Sequence, residues 1–252
     1  MNIHDLLLTK RVVTSQKKKP EIGRGSLAPS SGVFTLLFAL CIFFALFSLA
    51  LRFFVYRGID FVGLTSLINS FDVDLENSIP TWYNSQILFL CAAVLYLIFT
   101  FKRTSTERYT LHWLGLTLIF LAFSIDEIVS FHESIVGPFM RRAFNLSGIL
   151  YFGWVVPAAI LIVVFAIAYF RFFINLPSRT RLLFFLSALL YIGGALGVEL
   201  LGGYYFDAHG PNNITYAAIT TVEEVAEMIG VVLFLYALVG YLNLLNSASP
   251  NE

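Results

Sequence analysis

Apolar residues gather along this chain in six blocks separated by short polar stretches. The blocks are Val33–Val55, Ser85–Phe101, Thr110–Phe131, Ile149–Phe173, Leu182–Tyr205 and Ala217–Leu242. Each is close to the ~20 helical residues that cross a ~30 Å hydrocarbon core. The pattern predicts an all-α integral membrane protein, a six-helix transmembrane bundle over residues 32–245. Residues 1–31 are polar and basic and predict a disordered tail; residues 246–252 form a second, short tail. The longest loop, 56–84, carries a periodic apolar set (Phe61, Leu64, Leu67, Ile68, Phe71), which predicts a helix lying on the membrane surface. Trp82, Tyr83, Tyr151 and Trp154 fall at block ends, where interfacial aromatics are expected. Pro157 should kink the fourth span.

Composition agrees: 58% of the 252 residues are hydrophobic and 13% charged, which excludes an ordinary soluble domain. The formal net charge of zero conceals a segregation. With the N-terminus inside, 12 of the 16 basic residues face the cytoplasm, leaving Arg52, Arg57, Arg141 and Arg142 outside. The positive-inside rule therefore places both termini in the cytoplasm of a multi-pass protein of the cell (inner) membrane. The acids run the other way, 12 of 16 lying in the outer half, so that side attracts cations. Cys41 and Cys91 lie inside apolar blocks as small hydrophobes and support neither a disulfide framework nor a zinc–cysteine site. No phosphate-binding loop, dinucleotide fingerprint or nucleic-acid motif is present; the expected partners are the bilayer and a lipid-like substrate.

The polar residues that do enter the apolar blocks carry the chemistry. The third block ends in Ser124-Ile-Asp126-Glu127-Ile-Val-Ser130-Phe-His132-Glu133. Charge in or near hydrocarbon is costly unless paired, hydrated or metal-bound. At about 100° per residue Asp126, Ser130 and Glu133 share a helix face, and His132 joins them only if the helix bends. Gly137-Pro138 should stop the helix. In the fifth block Glu199 sits among Ala195, Gly202 and Gly203, with Gly193 and Gly197 as a small-xxx-small pair for close helix approach. The sixth block opens with Glu223, Glu224 and Glu227 on one arc. A helix N-terminus accounts for Glu223, and less well for Glu227 one turn deeper. Glu199 precedes and Glu223 follows the loop 206–216 by seven residues, so the two should lie at one height, with His209 able to fold over them. The run Asp72-Val-Asp74-Leu-Glu76 lacks the glycine and closing glutamate of a calcium loop and reads as a solvated acidic loop.

Like charges this dense require protons, a basic partner among Arg52, Arg141 and Arg142, or a cation. The first expectation is a divalent metal (zinc, iron or manganese) held by Asp126, His132, Glu133, Glu199, Glu223 and Glu227, with Glu127 and Glu224 as catalytic bases. Gathered carboxylates are similar to a di-iron carboxylate bundle, but that family requires Glu-x-x-His pairs, which Glu127 and Glu224 lack. The Asp-Glu-then-His order is similar to ceramidase-type intramembrane zinc hydrolases, whose late His-x-x-x-His pair is replaced by Glu223 and Glu227; neither family is assigned. The functional expectation is a metal-dependent membrane hydrolase acting on a lipid-like substrate from the outer leaflet. A cation- or proton-coupled transporter and a non-catalytic membrane subunit are the alternatives. The inner halves of the blocks are nearly free of polar side chains, which favours one-sided chemistry over transport.

Overall fold

A computed structural model describes residues 31–104 and 108–248, so the two tails lie outside it except for residues 31 and 246–248. The described residues form helices and no strand. The helices are α1 (Ser31–Tyr56), α2 (Leu64–Phe71), α3 (Ile79–Thr104), α4 (Thr110–Val129), α5 (Gly137–Phe144), α6 (Val155–Ile174), α7 (Ser178–Ile192), α8 (Glu199–His209) and α9 (Ile214–Ala248). A π-helical turn, Gly193–Val198, fuses α7 and α8 into one span, giving six helices long and apolar enough to cross a membrane.

Burial sorts these spans. In α3 and α9 more than half of the most apolar window is buried, against 11% in α6. The first two are therefore the axis of the bundle, and α6 presents Ile160, Leu161, Val164 and Ile167 outward. A face of bulky aliphatics with no polar atom is what a lipid-facing helix requires. The axis is closed by Leu88, Leu95, Ile98, Val232 and Leu238. Near the opposite end Trp113 packs against Phe172, Phe184 and Tyr241, tying α4, α6, α7 and α9 together. Cys41 and Cys91 are buried free thiols, as expected of small hydrophobes.

Two glycines set the spacing of α7–α8 against α9. A Cβ on Gly194 would stand 2.8 Å from the Glu223 carbonyl oxygen, and one on Gly230 would stand 2.8 Å from the Tyr191 nitrogen. Side chains there would drive the helices apart. Gly193 and Gly197 face open space, so the expected small-xxx-small pair is not the contact. The true notch lies one residue along, because the π turn shifts the helix face.

Several boundaries differ from expectation. The third span ends at Val129, because Ser130 adopts a left-handed conformation (φ 52) that turns the chain before a π turn at His132–Val136. Gly137-Pro138 then starts α5 instead of stopping a helix, since proline in a first turn forfeits no hydrogen bond. The fourth span begins at Val155, which puts Pro157 in its first turn, where the same reasoning removes the cause for a kink. The surface helix expected in the loop 56–84 is α2, although it leans on α1 through buried Leu64 and the Phe47–Phe71 ring contact.

Candidate functional site

The ends of α1, α4 and α8 and the starts of α3, α6 and α9 share one end of the bundle, and the polar residues collect there. The acidic segment after α2 enters the site, contrary to its reading as a solvated loop. Asp72 is buried; its carboxylate accepts from Arg52 Nε and from Ser48 Oγ (3.1 Å). Arg52 also donates to Asp74 Oδ2 at 3.2 Å. An apolar helix can end in arginine at this depth because two carboxylates meet it. Asp74 continues inward to a hydrogen bond with Thr220 on α9. Burial, only partly offset by Arg52, pushes its carboxyl up to about 6.

The break at Ser130 brings His132 back over the end of α4. Its Nδ1 lies 2.5 Å from Asp126 Oδ2, and its backbone N–H donates to Asp126 Oδ1 at 3.3 Å. The ring stands edge-on to Trp154, with centroids 4.6 Å apart, and Nε2 lies 3.8 Å from Glu133 Oε1. Burial works against a charge on His132, but the bond and charge of Asp126 outweigh it and raise the imidazole above its ordinary value. Glu133 exposes 47% of its side chain, and its carboxyl group is hydrogen-bonded to Glu76. Burial and the Glu76 charge together push it well above the usual carboxylate range.

The second half of the site is built by α8 and α9. The indole N–H of Trp154 donates to Glu199 Oε1 at 2.8 Å, and the Glu199 and Glu223 carboxyl groups are hydrogen-bonded to each other. The Gly193–Val198 π turn immediately precedes Glu199 and rotates it toward α9; π turns concentrate at such positions. Glu223 lies nine residues into α9, about two and a half turns, so the dipole at the helix start does not explain it.

Glu127, Glu224 and Glu227 lie in mutual electrostatic range, together with the buried Tyr191. The Asn84 amide on α3 donates to Glu127 Oε1 at 3.0 Å, which leaves Asn84 Oδ1 buried and unpaired. Ser130 Oγ is the other buried side-chain oxygen without a partner among the described residues.

The structure thus gathers Asp126, Glu127, His132, Glu133, Glu199, Glu223, Glu224 and Glu227 at one end of the bundle. His209 does not join them: it stacks on Tyr205 at the exposed end of α8. Among the described residues no set of three or more His, Cys, Asp or Glu side chains is disposed to hold a metal ion. Sequence reasoning missed Asp72, Asp74, Glu76, Asn84 and Trp154 as members. Asn84 beside an apolar block was the available signal; Trp154 read as an interfacial anchor.

Beside Glu133 and Trp154 opens a cleft of about 740 Å³, lined also by Pro138, Arg141, Arg142 and Tyr151. Gly153 lets the Tyr151–Trp154 turn press on α5: a Cβ there would meet the Arg141 nitrogen at 2.8 Å.

Residues 35–241 match the family described as "Domain of unknown function (DUF8692)", and the chain belongs to that family. No curated protein and no solved structure matches it.

Proposed function

We propose that this member of the DUF8692 family is a membrane hydrolase, performing one-sided acid–base chemistry on a lipid-like substrate. The observation that carries the reading is the Asp126–His132 pair, whose imidazole contacts two residues of the cleft wall, Glu133 and Trp154. A carboxylate on Nδ1 fixes the tautomer and orientation of an imidazole and leaves Nε2 as the working nitrogen. In hydrolysis of an ester or amide, Nε2 takes a proton from water as the water oxygen bonds to the carbonyl carbon. It returns the proton to the leaving oxygen or nitrogen as that bond breaks. Glu133, 3.8 Å from Nε2, is the supporting acid. The distribution of basic residues supports an orientation with this end outside and both termini in the cytoplasm. One-sidedness is supported by the opposite half, where Ser187 bonds to the Leu183 carbonyl and offers no polar step inward.

A divalent metal at the same site is the second reading, favoured by the orphan Asn84 Oδ1 beside Glu127. Glu127 meets Asn84 and lies in electrostatic range of Glu224 and Glu227, so these would be the ligands, and metal activation of water would then replace His132 as the source of nucleophile. A panel of ester- and amide-linked lipids in nanodiscs tests both readings. Turnover should fall at least 100-fold in His132→Gln, and in Asp126→Asn by about 10-fold or more. Undiminished turnover in His132→Gln would remove the acid–base reading; metal-stimulated turnover lost in Glu227→Gln would establish the second.

A further inference from the structure

The cleft beside the site has a charge that the carboxyl cluster does not explain. Arg141 and Arg142 stand in the last turn of α5. Among the described residues neither has a carboxylate within ion-pair distance, although this end of the molecule is dominated by acids. Arg141 sits over the Tyr151 ring, its guanidinium carbon 3.5 Å from the centroid. Stacking uses the face of the guanidinium and leaves its N–H edge available, which fixes the fork without occupying it. Asn145 and Ser147 add amide and hydroxyl groups to the same wall. Phe139 and Phe144 are exposed on α5 beside the arginines, and Ile135 and Ile149 flank them. A volume of about 740 Å³ is within the range of small-molecule sites, roughly 300–1,000 Å³.

We propose that this cleft binds a phosphate-type anion carried on an amphiphile. Arg141 and Arg142 grip the phosphate oxygens, and the exposed phenylalanines meet the acyl chains. The inference deepens the proposed function, on which it rests for the role of the bound lipid as substrate. Glu133 and Trp154 line the same cleft, so an anionic headgroup held by the arginines stands next to His132. Arginine suits this task because its planar donors match tetrahedral oxyanions two at a time, and loss of such charge-assisted bonds weakens binding by about 10- to 100-fold.

The test measures equilibrium binding of fluorescent short-chain phosphatidic acid to the full chain in phosphatidylcholine nanodiscs. The proteins compared are wild type, Arg142→Gln, Arg141→Gln, the double variant, and His132→Gln. Arg142 is exposed, so its variant keeps the fold even if Arg141→Gln disturbs the Tyr151 stack. Saturable binding that weakens about 10-fold or more in Arg142→Gln, and further in the double variant, supports the proposal. Equal binding by wild type and the double variant overturns it, as does equally tight binding of a diacylglycerol probe. Competition by inorganic phosphate at the lipid's own concentration assigns the cleft to free phosphate and overturns the amphiphile. Because His132→Gln removes chemistry and not the arginines, failure of hydrolysis with binding intact rejects only the proposed function. Loss of binding with hydrolysis intact rejects only the cleft.

Discussion

Replacing Arg52 by Met removes the guanidinium that meets Asp72 and Asp74 while keeping an apolar stem of similar reach. Asp72 exposes 3% of its side chain and Arg52 19%, so the pair is largely withdrawn from solvent. Once Arg52 is gone, the Asp72 carboxylate retains only Ser48 Oγ at 3.1 Å and the Asp74 N–H at 3.3 Å. Stranding one partner of a buried pair costs about 3–5 kcal/mol, and the partial exposure of Arg52 puts this case near ~3. At roughly 2–4 °C per kcal/mol, the melting midpoint in detergent should fall by about 6–12 °C. Asp72→Asn alone should lower it less, because Asn accepts from the same two donors and Arg52 keeps Asp74. In the Arg52→Met background the sign reverses: Asp72→Asn removes the stranded charge and should restore at least half of the loss. Fluorescence-detected thermal unfolding of the four proteins closes the cycle. An Arg52→Met midpoint within about 2 °C of wild type, or no rescue by the second change, would refute the reasoning.

Gly194→Ala should destabilise by about 1–3 kcal/mol, because its Cβ would meet the Glu223 carbonyl oxygen at 2.8 Å, whereas Gly193→Ala and Gly197→Ala face open space and serve as neutral controls in the same melt. The Asp74 carboxyl, raised to about 6 from an ordinary ~4, binds its proton more tightly in the folded chain. Its contribution to stability is present in full below pH ~4 and is lost as pH rises through about 6. In Asp74→Asn the midpoint should therefore vary less between pH 4 and 6 than in wild type, and an unchanged slope would contradict the assignment. Asn84→Leu should abolish any stoichiometric divalent metal found by elemental analysis of the purified protein; metal retained in that variant would place the ion elsewhere.

The six spans were legible because membrane insertion demands long apolar runs whatever their neighbours. The convergence of Glu199 and Glu223 was legible too, since antiparallel helices around a short loop equate heights. What sequence did not reveal were the two π turns. Each adds one residue to a helical turn, and no residue type marks it. The turn at Gly193–Val198 moves the close contact from Gly193 and Gly197 to Gly194, while the break at Ser130 followed by His132–Val136 brings His132 to Asp126. The acidic run 72–76 misled for a different reason. Its solvated reading was correct for a loop with no partner, and the partner, Arg52, lies twenty residues earlier at the end of an apolar helix. Trp154 was read as an interface anchor because its indole satisfies the same pattern whether it meets lipid headgroups or the Glu199 carboxyl.

The pairing of His132 with Asp126 is the point on which the functional account turns, and histidine-selective ¹⁵N NMR of the full chain across pH 5–9 observes it directly. The account predicts one imidazole protonated at Nδ1 in its neutral form, titrating above the ordinary ~6.5 because the Asp126 bond and charge outweigh burial. That signal should disappear in His132→Gln and shift to a lower titration midpoint in Asp126→Asn. A His132 titration that Asp126→Asn leaves unchanged would contradict it.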